Sequence, residues 1–152
     1  MTILVATDES PGPSRAVRVG YDLASAFDDP LLVVHVVPDD FSALAYDHDQ
    51  LDVERGLDAA EKREQAAAFA KSVADRTLDD PDDRVEAAGR VGAPVQEILA
   101  AADEADARYL VVGGTQRSPT GKAVFGSTTQ SLLLRSDRPV VTAADAAATG
   151  SE

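Results

Sequence analysis

Cysteine is absent from this 152-residue chain, which excludes a disulfide framework, a thiolate nucleophile and any cysteine-built metal site. No apolar run approaches the roughly 20 residues that cross a bilayer, so no membrane association through a spanning helix is expected. The amino end lacks the charged-then-apolar pattern of an export signal. Met1-Thr2-Ile3-Leu4-Val5 meets Asp8 at once, and a cytoplasmic protein is the expectation. Basic residues are scarce, 14 against 27 carboxylates, for a formal net charge of −13. Such a chain is a poor partner for nucleic acid, because phosphate neutralisation needs an accessible basic face. Lysine is confined to Lys62, Lys71 and Lys122, and the acids are mostly Asp. Short carboxylates with few exposed lysine stems suit concentrated salt, where charge is screened within about 3 Å at 1 M. A halophilic cytoplasm is therefore the expected setting.

What is present is a globular composition, 44% apolar, in a length that suits one domain. Thr2–Ala6 reads as a buried strand that runs through Thr7-Asp8-Glu9-Ser10 toward a helix starting between Ser10 and Ser14. Ala16, Gly20, Leu23, Ala24 and Phe27 mark that helix's inner face, and Asp28-Asp29-Pro30 stops it. Leu31–Val37 is continuously apolar, as a parallel strand covered on both faces should be. His35 within it is expected to be an ordinary core residue. A polar stretch follows, in which Asp47-His48-Asp49 reads as solvated loop because adjacent residues do not all face one ion. A helix is expected from about Leu51 to Leu78, with Phe69 and Val73 inward. Arg84–Ala88 is the third strand, expected at an edge. Gly89 to Pro94 leads into a helix whose core stripe is Val95, Ile98, Leu99 and Ala102. Arg108–Val112 is strand four, Thr128–Arg135 the last helix and Pro139–Ala143 strand five. The domain thus spans 1–143, and 144–152 is expected to be a frayed tail. Alternation of this kind predicts an α/β fold, a doubly wound parallel sheet with helices on both faces and right-handed crossovers. Ligands of such sheets bind beyond the carboxyl ends of the strands, where the winding reverses. That points to the loops after strands one and four.

The second of these loops is electrostatically unlike the rest of the chain. Between Asp106 and Asp137 there is no carboxylate, and the interval holds Arg108, Arg117, Lys122 and Arg135. It runs from Val112-Gly113-Gly114 through a long polar loop to Gly126-Ser127-Thr128, where a helix opens. Free N–H groups and the helix dipole at that point favour an anion, with Arg117 and Lys122 as countercharge. The ligand-free alternative is that Ser127-Thr128-Thr129-Gln130 is a plain capping box. A Walker A loop fails, since Gln116 stands where its first glycine belongs and Ala123 follows Lys122. A phosphorylated receiver domain lacks its acceptor Asp after strand three, where the chain reads Val85-Glu86-Ala87-Ala88. A flavodoxin would carry a Ser/Thr-rich loop at Pro11-Gly12-Pro13. No Ser-His-Asp order, paired-carboxylate cleft or metal-ligand spacing is found, and substantial turnover is not expected.

The chain resembles the universal stress protein family over nearly its whole length. The resemblance rests on Ile3-Leu4-Val5-Ala6-Thr7-Asp8-Glu9-Ser10, on Leu32-Val33-Val34-His35-Val36-Val37 and on Gly92-Ala93-Pro94 before the third helix. Nucleotide-binding members carry glycine, two residues, glycine, nine residues, then glycine and Ser or Thr. Here Gly113, Gly126 and Ser127 match, and Gln116 replaces the second glycine. The resemblance implies a Rossmann-like sheet of strand order 3-2-1-4-5 and an adenine nucleotide, ATP with or without Mg, in a stress-response regulator; the acidic composition makes a halophilic archaeon the expected source. Ala6, Thr7 and Asp8 would sit against the nucleoside and Val36 would offer backbone to the adenine edge. Val112 and Gly113 would line the ribose, and Gly126, Ser127 and Thr128 would hold phosphates. Gln116 either crowds this site or donates its amide to it. The resemblance also implies a homodimer paired through Pro139–Ala143, and at most slow ATP hydrolysis or autophosphorylation. A dimeric interaction module of the same fold that binds no nucleotide is the alternative.

Overall fold

The computed structural model describes residues 1–8, 13–38, 59–117 and 123–144; for 114–117, 123–125 and 144 the description is of the backbone. In chain order the elements are β1 (Thr2–Ala6), α1 (Arg15–Phe27), β2 (Leu31–Val37), α2 (Ala59–Thr77), β3 (Val85–Val91) and α3 (Pro94–Glu104). They continue with β4 (Ala107–Arg117), β5 (Ala123–Phe125), α4 (Ser127–Arg135) and β6 (Val140–Ala144). Five strands run parallel in the order β3-β2-β1-β4-β6, the expected 3-2-1-4-5 arrangement with β3 at an edge.

The continuous apolar runs have a simple cause: successive residues face opposite sides, and both sides are covered. Ile3, Val5, Leu31, Val33 and Val111 pack under Ala16, Val17 and Ala24 of α1 and Ala70, Val73 and Ala74 of α2. Leu4, Val34, Val36, Leu110 and Val112 pack under Ile98, Ala101 and Ala102 of α3 and Leu132 of α4. Each buried Leu, Ile or Val contributes about 1.5–3 kcal/mol by leaving water, so the strands are placed by their two apolar faces.

Local signals set the helix ends. The Ser14 hydroxyl accepts from the Val17 amide at 3.2 Å and caps α1, within the expected start. Asp28 ends it in the left-handed region at φ 57°. Gly92, at φ 145°, makes the turn into α3, and Pro94 occupies the first turn, where its missing N–H has no cost.

Four expectations need correction. Strand three does not stop at Ala88 but runs to Val91, with Gly89 inside it. A Cβ at Gly89 would lie 2.1 Å from the Arg63 carbonyl oxygen and 2.4 Å from the Ala67 amide nitrogen, so this glycine lets α2 rest on β3. Phe27 is not part of the buried face: it is 40% exposed, with the Arg108 guanidinium 4.3 Å above its ring. Strand four does not end at Val112 but continues to Arg117. There Thr115, Gln116 and Arg117 pair antiparallel with Phe125, Val124 and Ala123, turning both ends of the expected loop into a hairpin. Ser127 is not a cap but the first residue of α4, and Gly126 holds the N-cap position. The expected first turns of α2 (51–58), the Asp47-His48-Asp49 loop, Lys122 and most of the tail lie outside the described residues.

Candidate functional site

The winding reverses at β1, which pairs with β2 on one side and β4 on the other, Ala6 lying level with Val34 and Val112. Beyond this point the strands separate and a cavity of about 710 Å³ opens. Strand ends supply Ala6, Thr7, Asp8, His35, Val36, Pro38, Val112 and Gly113. Helices α3 and α4 supply Pro94, Ile98, Gly126, Ser127, Thr128, Thr129 and Leu132. Nine of the residues expected at a site therefore border one space: Ala6, Thr7, Asp8, Val36, Val112, Gly113, Gly126, Ser127 and Thr128. Gln116 and Arg117 are on the backbone of the hairpin, three and four residues past Gly113. Of the other cations in the interval, Arg108 lies near the opposite, amino end of β4. There its Nε donates to the buried Asp29 carboxylate at 2.7 Å and holds that carboxyl below its usual range. Arg135 closes the last turn of α4. Neither lines the cavity.

The cavity has two characters. Val36, Ile98, Val112 and Leu132 form an apolar floor, while Thr7, Asp8, Ser127 and Thr128 bring hydroxyls and a carboxylate. Such a lining suits a flat heterocycle joined to a polar group. The Thr7 amide donates to the Val34 carbonyl at 2.9 Å, and its hydroxyl is 3.1 Å from His35 Nδ1 and 3.3 Å from the Val34 oxygen. These contacts fix the turn that carries Asp8. His35 is buried against the Phe69 ring, centroids 4.3 Å apart, and is a core residue as expected, yet it also borders the cavity. Ile98 and Leu132 were likewise legible only as core, because an apolar cavity wall uses the same residue types. Thr129, Pro94 and Pro38 carried sequence signals for helix starts and a strand end, none of them for a ligand site.

Helix α4 starts one residue earlier than a Ser127 capping box requires. Gly126 is in extended conformation at φ −69° and ψ 164°, and as the N-cap residue it has no side chain to bond the first amides. The first backbone bond of the helix runs from Gln130 to the Gly126 carbonyl at 3.0 Å, so the N–H groups of Ser127, Thr128 and Thr129 have no partner within the helix. The Thr129 hydroxyl instead donates to the Gly113 carbonyl at 3.1 Å and ties α4 to β4. Packing among the described residues does not demand glycine at either matching position. A Cβ at Gly126 would meet nothing within 4 Å, and one at Gly113 only Ala16 at 3.6 Å and the Ala143 carbonyl at 3.8 Å. Among the described residues no three His, Cys, Asp or Glu side chains group as metal ligands.

The sequence model of the universal stress protein family matches residues 1–143. A universal stress protein of Mycolicibacterium smegmatis is 46% identical over 46 residues, 30% of this chain and 35% of that protein, so the match spans about a third of the relative. A universal stress protein of Archaeoglobus fulgidus is similar in structure, with a TM-score of 0.57 and 27% identity over 93% of this chain and 97% of the other. A universal stress protein in complex with cAMP is 25% identical, with a TM-score of 0.54 over 95% of this chain and 96% of the other. The sheet order, the two helical layers and the match over 1–143 lead to one conclusion: the chain belongs to the universal stress protein family.

Proposed function

We propose that this chain binds an adenine nucleotide in the cavity beyond β1 and β4 and works as a regulatory dimer in a salt-rich cytoplasm. The observation that carries the reading is the α4 terminus. Its first amides have no partner in the helix, belong to residues that border a cavity with an apolar floor, and follow a glycine that packing among the described residues does not require. Partial positive charge there attracts phosphate. Asp8 stands where ribose hydroxyls would be met, Val36 presents the strand edge to the base, and Val112 and Gly113 lie under the sugar. The similar protein in complex with cAMP supports the same ligand chemistry. ATP is the ligand named by the glycine pattern, and Gln116 is its departure. Occupancy would couple the cavity to the hairpin, because Gly113 and Gly126 are the hairpin's two roots.

The dimer would form through β6, whose outer edge is open among the described strands. Leu134 of α4, 85% exposed, is the largest apolar exposure among the described residues and also favours the second reading, an interaction module without nucleotide. Leu134→Glu should convert a dimer to monomer by light scattering if that face pairs.

The nucleotide reading is tested on protein purified in high salt, then heat-released and analysed by chromatography. Stoichiometric adenine nucleotide supports it. An empty protein with no thermal shift in millimolar AMP or ATP rejects it in favour of the interaction module.

A further inference from the structure

We infer that the site, read as an adenine-nucleotide site, selects a ligand bearing a single phosphate group, monoester or cyclic diester, over a di- or triphosphate. The inference rests on the nucleotide reading and adds the phosphate count.

Among the described residues, backbone amides can hold a phosphate in two ways. One is the α4 terminus, where the N–H groups of Ser127, Thr128 and Thr129 lie within a single turn. Three converging donors match one phosphate group. The other would be the segment between Gly113 and Gly126, which would have to curl round the second and third phosphates. A phosphate cradle of that kind needs successive N–H groups turned the same way. The segment instead leaves Gly113 as a strand. Thr115, Gln116 and Arg117 are in register with Phe125, Val124 and Ala123, and Thr115 also lies level with Ala144 of β6. In a strand, successive N–H groups point to opposite sides and do not converge on one anion. A longer phosphate chain would therefore have to break the ladder.

Charge points the same way. The residues bordering the cavity include the Asp8 carboxylate and no lysine or arginine among those described, in a chain of net charge −13. A phosphate monoester brings about −1.5 to −2 at neutral pH, which one helix terminus and a few hydroxyls can meet. Among the described residues, each further phosphate adds charge without adding a cationic side chain. Arg117 is paired with Ala123 at the far end of the ladder, its backbone about 13 Å along the strand from Gly113.

The test is calorimetric titration of the intact chain in high salt with AMP, cyclic AMP, ADP and ATP, the last two with and without Mg. AMP or cyclic AMP should bind at least about tenfold more tightly than ATP in either condition. The ratio of AMP to cyclic AMP tells which single-phosphate form is preferred. In Gln116→Gly, with an unchanged melting profile, a loosened ladder should narrow the gap between ATP and AMP. ATP binding as tightly as AMP in the unaltered chain overturns the inference while leaving the nucleotide site standing. Failure of all four ligands to bind removes the nucleotide reading and the inference together.

Discussion

Replacing Gly126 with Val separates the fold from the proposed ligand more sharply than any other change. The backbone at Gly126 is at φ −69° and ψ 164°, a conformation valine adopts readily, and a Cβ there meets nothing within 4 Å. No side-chain cap is lost. Valine is a poorer N-cap than glycine, but it also narrows the unfolded ensemble, so the net change should stay below about 1 kcal/mol. For a domain of this size that is a shift of roughly 2–4 °C in Tm. Binding should respond very differently. The branched side chain would stand over the Ser127 and Thr128 amides and displace phosphate from two or three charge-assisted hydrogen bonds, each worth about 1.5–3 kcal/mol. Affinity should fall at least about a hundredfold, equivalent to about 2.7 kcal/mol. Calorimetry and thermal melts in the same high-salt buffer read both quantities. Affinity within about twofold of the unaltered chain would refute the phosphate assignment. Unfolding would refute the claim that Gly126 is free of packing.

Three further outcomes follow from the packing and the charges. Asp29 has its carboxyl lowered from 3.8, first by the Arg108 hydrogen bond, so its contribution is present above that value and is lost as pH falls through the lower, folded one. Melting curves across the acid range should be steeper for the unaltered protein than for Asp29→Asn, which should melt lower at pH 7. Gly89→Ala should cost about 1–3 kcal/mol or more, because its Cβ would meet backbone of α2 at 2.1 Å, and denaturant midpoints measure this. Tm should rise with KCl toward molar concentration, and dialysis to low salt should lose structure; equal stability at low salt would contradict the halophilic proposal.

Much of this fold was legible because two faces of one sheet are buried. A seven-residue apolar run such as Leu31–Val37, too short for a buried helix and closed by Pro38, fits a strand covered on both sides. Ser14 and Pro94 mark helix starts by chemistry that does not depend on context. What escaped reading depends on tertiary approach. Gly89 looks like a breaker in one dimension and is a spacer in three. Thr115–Arg117 and Ala123–Phe125 are too short and too close to glycine for either to announce a strand, and only their pairing makes one. The capping box at Ser127 was a sound local pattern overruled by one residue's shift in the helix start. At the cavity, Asp8 and Gly126 could be placed from topology alone, whereas Ile98 and Leu132 could not be told from core.

The central claim is that a nucleotide phosphate sits on the first amides of α4, in the cavity beyond β1 and β4. Amide resonances of ¹⁵N-labelled protein titrated with AMP in high salt test it most directly. Saturable shifts are expected at Ser127, Thr128 and Thr129, with accompanying shifts at Val36 and Gly113. Shifts confined elsewhere, or none at millimolar AMP, would contradict it.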